Sequence, residues 1–383
     1  MLETCRLVYN SLVNDRKYQY ETAQVSVGRY DQQAYLPAWK ESHAELAEVH
    51  SQVLQDVVHR VSLAFDAFFD RVERGDEKIK RKIKRTPGFP RIKGSGQYDS
   101  ITYTQKASFK VGASSVHLSK IGQVKAKMHR SPWGAVKNCT VRRINGKWFA
   151  SLCQEIEPEL LPPSEEAVGI DVGLKTFAAL SDGTFIENPR FFREGEKALA
   201  KAQHRLSKQK RGSKAREKAR KVVSRIHERI RNRRHDFCHQ NARRIVNRFG
   251  VIVIEKLSVR NMMASPTPKS DPENEGQFLP NGASAKAGLN KSIADAAWSQ
   301  FRSILMSKAE SAGREVLAVN PTYTSQDCSG CGYRPDGLEG RTKKKLSDRW
   351  HLCPMCGLSL DRDTNAAVNI LALGQQSIAT VVA

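Results

Sequence analysis

Three acidic residues stand in parts of the sequence where a carboxylate is costly unless it is paired or binds a cation. Asp171 interrupts an apolar segment, Glu255 follows the apolar run 251–254, and Asp363 opens the last helical segment. Carboxylate oxygens are the hard ligands that magnesium prefers, and two magnesium ions about 4 Å apart can drive phosphodiester hydrolysis. The sequence therefore predicts that the three acids converge on a catalytic site with two magnesium ions.

Each acid also has a purely structural interpretation. Asp171 could end a strand, and Glu255 could pair with Arg260. Asp363 could be a helix N-cap, and Asp361, two residues earlier, could equally cap the helix or bind metal. Because three such acids occur in an otherwise basic chain, we favour metal binding.

Four of the eight cysteines form two CxxC pairs, and the other four are scattered singly. A CxxC turn directs two thiolates at one ion, so two such turns are typical of a structural tetrahedral zinc site. This distribution favours a reducing compartment and one zinc ion over a set of disulfides. The predicted zinc ligands are Cys328, Cys331, Cys353 and Cys356.

The chain is strongly basic, with 63 lysines and arginines against 40 aspartates and glutamates and a net charge of +23. Residues 76–93 carry a net charge of +6 and residues 201–234 a net charge of +13. Clustered cations of this kind release counterions from phosphates, whereas solvated helix faces, the alternative, usually mix both signs. We therefore predict nucleic-acid binding by Lys80, Arg81, Lys82, Lys84, Arg85, Arg91, Lys93, Lys208, Lys210, Arg211, Lys214, Arg225, Arg229 and Arg233.

The periodicity of apolar residues divides the chain into three regions. Residues 2–72 have helical spacing, and residues 100–156 alternate like the short strands of an antiparallel sheet or barrel, with Asn145-Gly146 as a hairpin turn. A proline-rich and acidic linker follows at 157–166. We expect strands around Asp171 and before Glu255, with a basic helical hairpin between them.

Three further elements complete the third region. Residues 260–290 lack periodicity and are rich in proline, serine and glycine, which predicts a flexible loop or a partly disordered insertion. Residues 294–312 predict one helix, and a strand, the cysteine cluster and a final helix follow.

These motifs resemble the TnpB family of insertion-sequence-encoded RNA-guided nucleases, which is related to type V CRISPR effectors. The resemblance covers residues 86–370 and rests on GIDVGLKTFAALSDG, VIVIEKL, SIADAAWSQF, the CxxC pairs and DRDTNAAVNI. It implies a multidomain α/β protein whose RNase H-like RuvC nuclease domain contains an inserted zinc ribbon and follows a β-barrel-like wedge domain and a helical recognition lobe. The implied ranges are 1–85 for the recognition lobe, 86–163 for the wedge, 164–383 for the nuclease, 191–249 for the basic hairpin and 324–358 for the zinc module.

The resemblance also implies roles for the residues. Asp171, Glu255 and Asp363 match the catalytic acids of the family, with Asp363 preferred to Asp361 because the third acid stands two residues before the Asn-Ala pair. A guide RNA would pair with one strand of a target double-stranded DNA, leaving the protein to recognise a short adjacent motif. Magnesium and zinc are the implied cofactors, and we favour a monomer.

Three alternatives to a transposon-encoded endonuclease remain open: a compact type V CRISPR effector of the same fold, a non-catalytic RNA-guided DNA-binding regulator, and a strand-transferring transposase. No stretch of eighteen uninterrupted apolar residues and no signal core occur in the sequence. We therefore expect no membrane association, and a cytoplasmic, nucleoid-associated location in a prokaryote.

Overall fold

The computed structural model describes residues 1–79, 88–274, 276–335 and 347–382. Contacts divide the chain into two compact units, Met1–Glu157 and Pro158–Ala383. The division falls at the start of the linker that the sequence predicts. The finer assignment of three domains stays a prediction.

Helices form the first half of unit 1. They are α1 (Leu2–Ala23), α2 (Arg29–Ser42), α3 (Ala44–Ala47) and α4 (Ser51–Ile79). Val53, Val57 and Val61 recur on α4 at intervals of one turn and are buried, which gives the helix the apolar stripe that it packs on the other helices. The predicted helical character of residues 2–72 is thereby confirmed.

Six short strands form the second half of unit 1, as the alternating pattern predicts. They are β1 (Ser100–Tyr103), β2 (Phe109–Val111), β3 (Ser115–Leu118), β4 (Gly122–Lys125), β5 (Ala135–Ile144) and β6 (Lys147–Glu155). They pair antiparallel in two sheets, ordered β1-β5-β6 and β2-β3-β4. Asn145 and Gly146 join β5 to β6 with φ values of 50° and 83°, the positive angles that a two-residue hairpin turn requires.

Unit 2 is built on a five-stranded sheet. Its strands are β7 (Ala167–Val172), β8 (Thr176–Leu180), β9 (Phe185–Glu187), β10 (Val251–Glu255) and β13 (Glu315–Val319). The order is β13-β10-β7-β8-β9, with β13, β10 and β7 parallel and β8 and β9 antiparallel. The centre of the sheet is therefore formed by the two strands that carry Asp171 and Glu255.

Helices cover both faces of this sheet. The main ones are α5 (Phe191–Ser207), α6 (Lys214–Arg248), α9 (Trp298–Ser311) and α10 (Arg362–Val382). Ile170 and Ile252 share a core with α6 and α9, whereas Val253 packs with Ile370 of α10. Among the described residues, none of the helices combines the length and hydropathy that a bilayer span requires.

Segment 260–290, predicted as a flexible loop or a partly disordered insertion, contains short regular elements and the start of a longer helix. The structure has α7 (Val259–Met262), a hairpin of β11 (Lys269–Ser270) with β12 (Phe278–Leu279), and α8 (Ala283–Ala296). Side-chain to backbone hydrogen bonds organise it, since Lys286 and Asn290 donate to the carbonyl oxygens of Met262 and Met263. These bonds join residues 24 and 27 positions apart, so local periodicity does not reveal them.

The predicted helix at 294–312 is confirmed over Trp298–Ser311, but a break at Ala297 divides the segment between two helices. Ala297 has a left-handed backbone (φ 56°), which ends α8 and starts α9 at Trp298. The zinc region adds one more pair of strands, β14 (Trp350–Leu352) and β15 (Ser359–Asp361).

Candidate metal centres and nucleic-acid interface

Asp171 and Glu255 lie on neighbouring parallel strands at the same edge of the sheet. Val253 of β10 pairs with Gly169 of β7, and each acid follows two residues later on its strand. Because side chains alternate along a strand, both acids lie on the face of the sheet to which Gly169 and Val253 belong.

Helix α10 covers that face and brings the third acid to the same edge. A Cβ atom on Gly169 would lie 2.0 Å from the carbonyl oxygen of Ala367, so the backbones of α10 and β7 are in direct contact there. Asp363 precedes Ala367 by one helical turn, about 6 Å along the axis. The negative charge of Asp363 and that of Glu255 both raise the pKa of Asp171, which places the three acids in one electrostatic neighbourhood.

Burial and mutual repulsion oppose ionisation of these acids. The pKa of Asp171 is raised well above its usual value, first by burial and then by Glu255 and Asp363, while Arg362 opposes the shift. Burial also raises the pKa of Glu255, and a hydrogen bond from the Thr324 hydroxyl at 2.8 Å acts in the opposite direction. Three acids in this setting need added positive charge to ionise together.

The oxygens of the three acids are more widely spaced than the sulfurs of the four cysteines. Among the described residues, only the four cysteines form a group of three or more candidate ligands with all ligand atoms within 4.8 Å of one another. The oxygens of the three acids do not meet that limit, so they are too far apart for one compact three-ligand site. The donor set is oxygen alone, which suits magnesium.

Asp361 is the N-cap of α10. One of its carboxylate oxygens accepts hydrogen bonds from the backbone N–H groups of Asp363 at 2.8 Å and Thr364 at 3.3 Å. The alternative role of Asp363 as the cap is thus taken by its neighbour. The alternative ion pair of Glu255 with Arg260 is also absent from the described residues, where Glu255 accepts from Thr324 instead.

The four cysteine sulfurs form a cluster of the size that zinc requires. The Sγ atoms of Cys328 and Cys356 are 3.6 Å apart, and those of Cys331 and Cys353 are also 3.6 Å apart. A tetrahedron with Zn–S bonds of about 2.3 Å has S–S edges of about 3.8 Å. The cluster therefore fits one zinc ion in the predicted four-cysteine arrangement.

Both cysteine turns have the same backbone geometry. Gly332 donates its N–H to the carbonyl of Cys328 at 2.9 Å, and Gly357 donates to that of Cys353 at 3.0 Å. Each glycine has a φ of 72°, a left-handed conformation that explains glycine directly after each second cysteine.

The zinc cluster is tied to α10 beside the acids. The fully buried amide of Asn365 donates to the carbonyl of Asp327 at 2.8 Å and accepts from the N–H of Ser329 at 3.0 Å. Asn369, one turn later, donates to the carbonyls of Thr324 and Asp327. The first cysteine turn, Thr324 and the start of α10 therefore form one hydrogen-bonded assembly.

A basic surface lies on the α5–α6 hairpin, defined here by the exposed cations of residues 208–229. Ser213 caps α6 by accepting from the N–H of Arg216, whose guanidinium donates to the carbonyls of Leu206 and Gln209 and fixes the turn between the helices. Six predicted ligands here are exposed and make no ion pair or side-chain hydrogen bond within the described residues: Lys208, Lys210, Arg211, Lys214, Arg225 and Arg229. This surface has the free cations that phosphate contacts need.

Two other predicted ligands are engaged within the protein. Arg233 pairs with Glu194 at 2.6 Å and lies 4.5 Å from the ring centre of Phe191. The Lys93 ammonium lies 4.5 Å and 4.8 Å from the ring centres of Tyr9 and Tyr98, and burial lowers the pKa of Lys93. Their roles in nucleic-acid binding stay predictions.

The remaining predicted ligands lie in or near residues 80–87. Arg91 is exposed. Lys80, Arg81, Lys82, Lys84 and Arg85 lie outside the described residues.

Comparison with known proteins assigns the chain to a family. The OrfB_IS605 family, described as a probable transposase, matches residues 151–265, and the Cas12f1-like TNB domain family matches residues 298–370. The chain is 32% identical over 380 residues to the "Putative RNA-guided DNA endonuclease InsQ" of Escherichia coli strain K12, covering 98% of this chain and 88% of that protein. It belongs to the TnpB family. This confirms the resemblance on which the sequence analysis relies.

Two further comparisons extend the TnpB assignment. A "Putative RNA-guided DNA endonuclease" of Streptomyces pristinaespiralis is 34% identical over 376 residues, covering 96% of this chain and 83% of that protein. A Cas12f1 structure solved by cryo-electron microscopy with single guide RNA and target DNA has a TM-score of 0.51 at 15% identity, covering 96% of this chain and 80% of that one. The multidomain α/β fold therefore extends to that effector.

Two residues that organise the site of this TnpB chain were not predicted from its sequence. The Thr324 hydroxyl donates a hydrogen bond to the Glu255 carboxylate. The side-chain amide of Asn369, on α10, donates a hydrogen bond to the carbonyl of Thr324. The available signal is the pair Asn365 and Asn369, which are spaced by one helical turn in the last helical segment.

Proposed function

We propose that this protein is an RNA-guided DNA endonuclease of a transposable element, which cleaves double-stranded target DNA next to a short motif by phosphodiester hydrolysis. The observation that carries the proposal is the meeting of Asp171, Glu255 and Asp363 at one edge of the unit 2 sheet. The similarity to proteins named as RNA-guided DNA endonucleases supports it over most of the chain.

The finer architecture belongs to the same proposal. The sheet of unit 2, with its acids on adjacent parallel strands and on α10, would be the RNase H-like core of a RuvC nuclease domain. The cluster of four cysteines would be its inserted zinc ribbon. The two small sheets of unit 1 would form the barrel-like wedge, and α1–α4 the recognition lobe.

Asp171, Glu255 and Asp363 would hold the two magnesium ions. When bound, magnesium activates a water molecule and stabilises the leaving oxygen of the scissile phosphodiester. Thr324 keeps one oxygen of Glu255 in place by hydrogen bonding, and Asp361 fixes the first turn of α10 and hence the backbone of Asp363. The four cysteines would hold one zinc ion, which stabilises the segment that carries Thr324 and Asn365.

The partners follow from the charges and from the family. The exposed cations of the α5–α6 hairpin would contact the phosphates of a guide RNA, whose pairing with one DNA strand supplies sequence recognition. The protein would act in the prokaryotic cytoplasm, close to the nucleoid.

The decisive experiment incubates the purified ribonucleoprotein with target plasmid and magnesium. We expect cleavage by the native protein and none by Asp171→Ala, with guide-RNA affinity unchanged. Binding without cleavage by the native protein would instead indicate an RNA-guided regulator, and rejoined products would indicate a transposase.

A matched pair of variants separates the two acids at the start of α10. Asp363→Ala should abolish cleavage because a metal ligand is lost. Asp361→Ala should retain measurable cleavage and lose about 1 kcal/mol of stability because the helix cap is lost. The reverse pattern would exchange the two assignments.

A further inference from the structure

A cavity of about 300 Å³ lies on the face of the sheet opposite α10, at the edge that carries the acids. Ile170 and Val172 of β7 and Ile254 of β10 form one wall, and Trp298 and Met306 of α9 contribute to the other. Glu255, the last residue of β10, also borders the cavity, so the cavity reaches the edge of the sheet at which the acids lie. A volume of this order is sufficient for part of a small ligand.

Arg302 is the charged residue of α9 in the cavity wall. Trp298, Arg302 and Met306 are spaced by four residues and so lie along one line of the helix. Arg302 is half-buried and makes no ion pair or hydrogen bond within the described residues. Glu255 borders the same cavity, but its carboxylate accepts a hydrogen bond from Thr324. In the part of the chain that the structure describes, it forms no ion pair with Arg302.

A guanidinium without a protein partner is available to donate hydrogen bonds to an anionic ligand. An apolar ligand would leave this charge unmatched, and free phosphate would make no use of the apolar walls. A nucleotide matches both features, since its phosphate can accept two hydrogen bonds from a guanidinium and its sugar and base can pack on apolar side chains.

We propose that this cavity binds one nucleotide of the unpaired DNA strand next to the bond that is cut, with Arg302 on its phosphate. Arg302 is then a positioning residue that holds the strand while the acids act on the neighbouring linkage. This inference rests on the proposed function and adds a substrate subsite to it.

The first test compares Arg302→Gln with Lys308→Gln, a variant of the same helix outside the cavity wall, in the zinc-loaded ribonucleoprotein. With an unpaired DNA substrate, Arg302→Gln should raise KM about tenfold or more, the usual effect of losing a charged hydrogen bond. Arg302→Lys should restore part of this loss, and Lys308→Gln should leave KM unchanged. Guide-RNA affinity and Tm should be the same for all four proteins.

The second test locates the phosphate contact. Single neutral methylphosphonate linkages are placed in turn along the unpaired strand. The KM of the native protein should rise sharply at one position near the cut, and that of Arg302→Gln should rise no further at that position. Equal increases in both proteins at every position would overturn the inference.

The outcomes also separate this inference from the proposed function. If the native protein cuts and Asp171→Ala does not, but Arg302→Gln keeps the native KM, the subsite is wrong and the endonuclease stands. If the native protein itself fails to cut, the proposed function is wrong.

Discussion

Asp171 combines burial with the neighbouring negative charges of Glu255, Asp363 and Asp361, which together raise its pKa well above the usual value. A carboxyl whose pKa is raised by folding stabilises the protein at low pH, and that stability is lost as the pH rises from the unfolded value of about 3.9 through the folded pKa. At neutral pH without magnesium, the ionised side chain therefore opposes folding.

Asp171→Asn should accordingly stabilise the magnesium-free, zinc-loaded protein while abolishing cleavage. Asparagine keeps the shape and removes the charge, so we expect a gain of about 1 kcal/mol at neutral pH. Thermal unfolding measures the gain, and Glu165→Gln, a change of an exposed acid, should leave Tm unaltered. A lower Tm for Asp171→Asn would contradict the electrostatic account of this site.

The raised pKa values of Asp171 and Glu255 also predict the pH profile of cleavage. Protons compete with magnesium for the same oxygens, so activity should fall with acidification at a pH above the usual carboxyl value of about 4. Raising magnesium tenfold should move the midpoint of this fall to lower pH, by about one unit if each ion displaces one proton. Cleavage rates measured over a range of pH at two magnesium concentrations test this prediction. The same midpoint pH at both concentrations would contradict it.

At the scale of elements, the contact of α10 with β7 decides where Asp363 lies. The contact depends on Gly169, because a Cβ there would lie 2.0 Å from a carbonyl oxygen and 2.7 Å from a backbone nitrogen of α10. Neither neighbour is the end of a flexible side chain. The helix itself would have to move.

Gly169→Ala should therefore destabilise the protein by about 2 kcal/mol or more and reduce cleavage, since the displaced helix carries Asp363 with it. The matched control is Gly288→Ala in α8, where an added Cβ meets nothing within 4 Å. Alanine is the better helix former, so the control should keep or slightly raise Tm. Equal Tm values for the two variants would exclude the tight contact.

The zinc module allows a similar paired comparison. Cys353→Ser should lower Tm, solubility and zinc content, because a ligand of the cluster is lost. Cys153→Ser, which changes an exposed single cysteine, should retain one zinc per chain and the native Tm. Metal analysis with thermal unfolding gives both values, and native zinc content in Cys353→Ser would exclude it as a ligand.

At the scale of the whole molecule, the charge of +23 is concentrated rather than spread, and the described part of the hairpin presents cations that no acid neutralises. Guide-RNA affinity should therefore depend strongly on salt. Arg225 and Arg229 are exposed, one turn apart on α6, and have no role in the core.

Replacing both by alanine should weaken guide-RNA binding and reduce the slope of log affinity against log salt by about 1.4, or 0.7 for each single-strand phosphate contact. Replacing both by lysine keeps the charge and should retain most of the slope. Binding titrations at several salt concentrations measure it. An unchanged slope for the alanine variant would show that Arg225 and Arg229 do not contact the phosphates of the guide RNA.

Features that depend on neighbouring residues could be predicted from the amino-acid sequence alone. The CxxC spacing indicated the zinc ligands, the Asn145-Gly146 pair indicated a hairpin, and the apolar runs indicated the strands that carry Asp171 and Glu255. Each feature follows from local backbone geometry or from periodicity within a few residues, so a short stretch of sequence is sufficient to predict it.

Which distant residues meet could be seen only in the folded chain. There Thr324 donates the hydrogen bond to Glu255, and Lys93 lies against two tyrosine rings. The first contact depends on α10, because Asn369 of that helix donates a hydrogen bond to the carbonyl of Thr324. Such contacts mostly join segments tens to hundreds of residues apart, and their geometry is fixed by packing of the core rather than by any local pattern.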